Sequence, residues 1–362
     1  MANYQERKKL IKKLQRKRDD STIITYFTMT DRGNTPALLV SDDAIKPLHT
    51  LLERVGQKDK IELLLYTRGG AMMTAYTLVK MFREYATKFN VLIPFRAHSA
   101  GTQIALGADN IVMTKIGQLS PIDPTTANYF NPVLNPKADP TDPRNRKQIS
   151  VEDVQSYFNL AKDRIGLVSE SDSLEIFKEL TKCVEPLALG NVNRVYLETR
   201  VIAREMLVLH MDPKKDEEKI ARIIKALTEE YTHNFIITRS KADDIGLNIK
   251  KPTSEQENLI MKIYDSYETE MKMNIPFDAE ALLLQSANPQ GFKIKLGAIE
   301  SVDDSFIFMS EGSVYPAVTK LIQNAELKAK IMIQPGMYPP KPSVMVKSGN
   351  WYRTSELSGD FV

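Results

Sequence analysis

Two hydrophobic patterns alternate along the first third of the chain. Short apolar runs flanked by turn residues, "TIITYFT" (22–28), "IELLLY" (61–66), "NVLIPFRA" (90–97) and "NIVM" (110–113), predict buried strands. "ALLV" (37–40) predicts another. Between them, helical spacing marks "DDAIKPLHTLLERV" (42–55), with Pro47 as an interior flaw, and "SAGTQIALGA" (99–108). In "AMMTAYTLVKMFREYATKF" (71–89), Met72, Tyr76, Val79, Phe82 and Phe89 share one face. Strand–helix–strand–helix–strand with tight junctions predicts an α/β fold built on a parallel sheet with right-handed crossovers.

Residues 121–143 break the pattern: the segment holds six of the chain's 19 prolines and has no periodicity. It leads to a helix opened by Ser150, with Asp153 three residues on. A long helix over about 191–209 follows, then a helix to about 229. After these, "NFIITRSKADDIGLNI" reads as a strand, a helix capped at Ser240 and Asp243, and a stop at Gly246. A helix over 257–272 precedes "GFKIKLGAIE", "SFIFMS", "KIMIQ" and "SVMVKSGNWYR", which read as short strands. The organisation expected is a basic helix over 1–20, a main domain over 21–250 and an extension over 251–362.

Charge and cysteine content narrow the class. The 362 residues carry 49 Lys and Arg against 46 Asp and Glu, so a specific nucleic-acid partner is not expected. Eight of the basic residues lie in "RKKLIKKLQRKR" (7–18), around the narrow apolar stripe of Leu10, Ile11 and Leu14. That segment reads as a solvated amphipathic helix, or as a contact for an acidic partner or a membrane surface. Cys183 is the single cysteine, which excludes an internal disulfide and a cysteine-based zinc site and fits a reducing cytoplasm. No apolar leader and no run of membrane-spanning length is seen, so a cytoplasmic location is expected. No metal or cofactor is implied.

Two adjacent strand ends carry candidate chemistry, where open α/β sheets bind ligands. One bears "TRGG", in which Gly69 and Gly70 allow close backbone approach and free N–H groups. The other bears "AHSAG", where Ser99 opens a helix with the Ala100 N–H beside it. A serine hydroxyl next to a Gly70/Ala100 oxyanion hole would suit acyl transfer. Taken singly, Gly-Gly is a turn and Ser99 a helix cap. G-x-S-x-G is absent, as are Walker A and G-x-G-x-x-G at a strand–helix junction.

The ordered series "TRGG"…"HSAGT"…"ADNIVM"…"SPIDP", with 29 residues from Gly70 to Ser99, resembles the serine dehydrogenase proteinase family. That family belongs with Clp proteolytic subunits, signal peptide peptidase A and crotonases. "TRGG" is similar to its T-P-G-G, with Arg68 in place of proline, and "THNFIITRSKADDIGL" resembles the last strand and helix of the Clp-type core. The resemblance covers roughly residues 20–250. It implies a Clp/crotonase-like fold of repeated β-β-α units around a mainly parallel sheet, here with a C-terminal α+β extension. It also implies a serine peptidase acting on polypeptides, and a homo-oligomer.

The base is left open. His98 adjoins Ser99 and would point the opposite way on an extended strand, so it offers support at most. His49 has no motif around it, and His210 ends a helix. The Clp-type histidine would fall near Pro124, so that triad does not carry over; His233 falls where the family places the triad aspartate. Signal peptide peptidase-like members use a downstream lysine, which points to Lys137 or, just before a helix, Lys147. Asp123 is a candidate to orient the base or to fix its loop. A crotonase-like acyl-CoA enzyme and an inactive oligomeric scaffold are the alternatives.

Overall fold

The computed structural model describes residues 4–30, 37–136, 139, 141–142, 145–230, 232–283, 288–315 and 342–356. In chain order the first half comprises α1 (Tyr4–Lys17), β1 (Thr22–Thr28), α2 (Ile45–Val55), β2 (Lys58–Tyr66), α3 (Met72–Tyr85), β3 (Ala86–Ile93), β4 (Arg96–Ala97), α4 (Ala100–Leu106), β5 (Asn110–Met113), β6 (Gln118–Leu119) and β7 (Thr125–Thr126). Then come β8 (Ile149–Ser150), α5 (Val151–Asn159), α6 (Glu170–Cys183), α7 (Pro186–Leu207), α8 (Glu217–Thr228), β9 (Ile237–Thr238), α9 (Arg239–Ile245) and β10 (Ile249–Lys250). The last are α10 (Ser254–Glu270), α11 (Ala279–Leu283), β11 (Gln290–Glu300), β12 (Ser305–Tyr315) and β13 (Ser343–Arg353).

The main sheet has eight strands in the order β10-β5-β3-β2-β1-β11-β12-β13. From β10 to β1 every pairing is parallel; β11, β12 and β13 are added antiparallel at the β1 edge. Both faces are covered, which is why the parallel strands read as continuous apolar runs. On β1, Ile24 and Tyr26 face a core shared with α2, α3, α4, α7 and α8. Ile23 and Phe27 face a second core made with α1 and α10. The expected α/β class therefore holds: in the main sheet the five strands before residue 251 pair in parallel, and the three antiparallel strands lie in the C-terminal extension.

Local departures from the expected elements have visible causes. Pro47 sits in the first turn of α2, where a missing N–H costs no hydrogen bond. "ALLV" makes only one parallel bridge, Val40 to Gly70. The strand expected over 90–97 breaks at Pro94, and Arg96–Ala97 pass to a separate small sheet of order β4-β6-β9. β3 begins at Ala86, inside the expected helix, because Ala86 and Lys88 pair with Lys58 and Lys60 of β2. α7 starts earlier than expected, at Pro186 after a Glu185 cap. Thr238, not Ser240, caps α9 by accepting from the Lys241 N–H. The "KIMIQ" strand and Lys137 lie outside the described residues.

Both chain ends share one core. α1 packs along α10 and buries Arg7, Ile11 and Leu14, while Lys9, Lys12, Lys13 and Arg16 stay exposed. The Arg7 guanidinium, with no exposed surface, donates Nε to Glu300 Oε2 at 2.9 Å and Nη2 to Glu300 Oε1 at 2.6 Å. It also pairs with Glu270 and lies 4.3 Å from the centre of the Tyr267 ring. On β13, Trp351 donates Nε1–H to Asp43 Oδ2 at 2.9 Å. Neither expected boundary, at 20/21 or 250/251, coincides with a break in this packing. Among the described residues no helix is long and apolar enough to cross a membrane.

Removing Arg7 leaves the Glu300 carboxylate buried without its bidentate partner. Arg7→Ala is expected to cost about 3–5 kcal/mol, read as a lower urea midpoint at unchanged slope. Lys12→Ala on the solvent face should stay within about 0.5 kcal/mol of wild type.

Candidate active site

The site is assembled where three backbone segments approach too closely for side chains. Gly70 is bridged to Val40, with Val40 N–H donating to Gly69 O and Ala71 N–H to Val40 O, each at 2.8 Å. A Cβ on Gly70 would lie 2.1 Å from Val40 O. One on Gly69 would lie 2.8 Å from Ser99 Cβ and 3.3 Å from Ser99 Oγ. Both glycines hold positive φ, +119° and +149°, so the "GG" of "TRGG" is demanded twice over, by space and by conformation. Thr67 braces the turn: its Oγ1 accepts from the Gly69 N–H at 3.0 Å and from Thr28 Oγ1 at 2.7 Å.

Ser99 faces this turn from the strand-to-helix junction before α4. Thr67 N–H donates to Arg96 O and His98 N–H to Thr67 O, which tie β4 to the end of β2. Ser99 then takes φ 49° and ψ −111°, outside the regions open to an unstrained L-residue. Two contacts hold it there. Its N–H donates to Ser120 Oγ at 2.8 Å, and Gly101 N–H donates to His98 O at 2.8 Å. Ser120 is itself locked to Thr102, whose Oγ1 accepts from the Ser120 N–H at 3.1 Å. Ser120 and Thr102, inside the motifs "SPIDP" and "HSAGT", thus position Ser99; sequence reasoning had singled out neither.

The expected oxyanion donors follow the two residues in contact, Gly70 after Gly69 and Ala100 after Ser99. Ala100 is the first residue of α4, so its N–H has no acceptor within the helix. The Gly70 N–H turns away from Val40, whose two ladder bonds go to Gly69 and Ala71. Neither N–H has an acceptor among the described residues.

Asp123 and His233 meet at the same end of the small sheet. Ala97 pairs with Leu119 in parallel, and Leu119 with Ile237 antiparallel. Ser99 lies two residues past Ala97, Asp123 four past Leu119, and His233 four before Ile237. His233 Nδ1 is 2.9 Å from Asp123 Oδ1. A carboxylate oxygen accepts only, so Nδ1 carries the proton and Nε2 is left as the basic nitrogen. The hydrogen bond to Asp123 raises the imidazole pKa above its ordinary value, against an opposing effect of burial. Asp123 is buried and His233 half-exposed.

Lys147 is placed differently. It lies on the loop between β7 and β8, exposed, with its backbone N–H on Pro132 O at 2.8 Å. A lysine base has to be desolvated to lose its proton, and this position does not supply that. His98 contributes its backbone to the β2–β4 junction described above. Glu152, in the first turn of α5, was not anticipated: burial first, then the Asp123 charge, push its carboxyl up to about 7 against the pull of Arg200.

Comparison with known proteins places the first part of this architecture. Residues 1–155 match the family of ClpP-like SDH-type serine proteinases, the family whose resemblance the sequence motifs suggested. The match includes Gly69, Gly70, Ser99, Ala100 and Asp123 and stops before His233. An uncharacterized protein of Methanocaldococcus jannaschii is 26% identical over 268 residues, covering 71% of this chain and 78% of its own length. A second uncharacterized protein of that archaeon is 25% identical over 205 residues, 56% of each chain. No solved structure matches.

Glu152 sets a pH signature for stability. Its folded pKa is raised, so the folded state favours the protonated form; stability is full below the unfolded value and falls as pH rises toward about 7. Glu152→Gln should therefore melt progressively higher than wild type as pH goes from about 5 to about 8, with the two curves converging at acid pH. Gly70→Ala should cost at least about 1–3 kcal/mol, measured by chemical denaturation.

Proposed function

We propose, from the kinship of residues 1–155 to ClpP-like serine proteinases, that the chain is a serine peptidase-like hydrolase with Ser99 as nucleophile. The observation that carries this reading is the strained Ser99 turn packed on Gly69, with the N–H groups of the next residues, Gly70 and Ala100, unengaged among the described residues. In the proposed step His233 Nε2 takes the Ser99 hydroxyl proton as Oγ attacks a peptide carbonyl. The two N–H groups receive the developing oxyanion, and His233 returns the proton to the leaving amine. Asp123 holds the imidazole in the tautomer this needs. The 2.9 Å Asp123–His233 contact and the exposure of Lys147 favour His233 as the base.

The chain order of the three groups is then Ser99, Asp123, His233, with acid and base exchanged relative to the Clp-type order. The exposed apolar side chains Leu39, Met73, Tyr129, Phe130, Phe235 and Ile236, on the segments that carry the site, support a polypeptide substrate with apolar residues.

A serine-reactive fluorophosphonate tests the reading. Label is expected on Ser99, absent in Ser99→Ala, and slowed about 10²–10⁴-fold in His233→Ala but little changed in Lys147→Ala. Label persisting in Ser99→Ala would remove Ser99 as nucleophile. The labelling rate should rise with pH as His233 loses its proton, above the ordinary imidazole range because its pKa is raised. Asp123→Asn should shift that limb to lower pH and lower its plateau, a displacement that general misfolding would not produce.

A further inference from the structure

A cavity of about 300 Å³ opens at the far end of α4 from Ser99, between the ends of α7, α8 and α9. Apolar residues form part of its wall: Ala105, Ile111, Leu207, Met211, Ile223 and Leu247. His210, Asp216, Lys219 and Asn248 line the rest. A cavity that offers both apolar side chains and a few charged or polar groups suits a small amphiphilic molecule.

His210, Asp216 and Lys219 have open capacity. His210 Nε2 lies 2.9 Å from Leu106 O, an acceptor, so Nε2 carries the proton and Nδ1 is left as an acceptor. Burial keeps the ring neutral by lowering its pKa. Asp216 Oδ2 accepts the Asp212 N–H at 2.9 Å, and Oδ1 accepts nothing among the described residues. Lys219 lies along Gly246, its Cε 3.4 Å from where a Cβ would stand there. Among the described residues its ammonium forms no ion pair, although Asp216 is only three residues away on the chain. Asp109, the other nearby acid, is engaged by Arg83 at 2.8 Å.

We infer that this cavity binds a small zwitterion with an apolar side chain, a free amino acid of the size of leucine or methionine. The ligand ammonium is matched by Asp216 Oδ1 and His210 Nδ1, the carboxylate by Lys219, and the side chain by the apolar part of the wall. A plain carboxylate leaves the Asp216 charge facing it, and a hydrocarbon leaves both charges unmatched. At about 30 Å³ per water, the space equals roughly ten waters, room for one amino acid. That this class is also the end product of peptide hydrolysis rests on the proposed function; the binding site does not.

Calorimetric titration of the full chain, with [13C]methyl-methionine NMR of Met211, tests the inference. L-leucine or L-methionine should saturate one site and shift the Met211 methyl resonance. Leucinamide, lacking the carboxylate, and 4-methylpentanoate, lacking the ammonium, should bind at least about tenfold more weakly. Lys219→Gln, at an exposed position, should weaken leucine about tenfold and leave leucinamide unchanged. No saturable binding of either amino acid to the wild-type chain by about 10 mM, 4-methylpentanoate equalling leucine, or leucine unaffected by Lys219→Gln would overturn it. Leucine binding to a chain that fluorophosphonate fails to label leaves this site standing and removes the hydrolase reading. Labelling without leucine binding removes only this site.

Discussion

The lack of a Cβ at residues 69 and 70 is the constraint on which the rest of the site depends. It lets the chain after β2 lie against Val40 on one side and Ser99 on the other. One close approach therefore fixes three segments relative to each other: the bridge at Val40, the Thr67-braced turn, and the β4–α4 junction. Because these backbones meet edge to edge, their N–H groups sort into two sets. Some are consumed in ladder bonds, and those of Gly70 and Ala100 have no acceptor among the described residues. A larger side chain at either glycine would push the junction apart and lose the strain at Ser99 with it.

Much of this was legible in the chain. The parallel strands were readable because burial on both faces makes them uniformly apolar, and β2, β5 and α3 fall close to where periodicity puts them. The adjacency of "TRGG" and "HSAG" followed from consecutive parallel strands ending at one edge of a sheet. Contacts that depend on distant pairing were not readable. Asp123 and His233 are 110 residues apart and meet only because β6 pairs antiparallel with β9, so sequence alone left lysine and histidine bases both open. The strands after residue 290 were readable as strands, yet nothing local in "GFKIKLGAIE" says that it will join β1. α6 escaped notice because it buries Ile176 and exposes Leu174 and Phe177, which blurs any one-faced pattern.

The N-terminal helix shows how misleading composition is when read alone. Its cluster of positive charge looks like a solvated arm, and most of it is exposed. Arg7 is the exception, sealed under the sheet against Glu300, Glu270 and Tyr267. Charge density gives no hint of which cation goes inside. That is decided by helical phase, since Arg7 falls on the same side as Ile11 and Leu14.

The antiparallel closure of the sheet also orders events during synthesis. Arg7 and Glu300 are separated by 293 residues, which a ribosome adds in roughly 15–60 s at typical elongation rates. Until then the outer edge of β1 is an open template for other chains, and the guanidinium lacks its bidentate partner. A nascent chain of this protein thus needs shielding of the β1 edge until the segment around Glu300 has emerged.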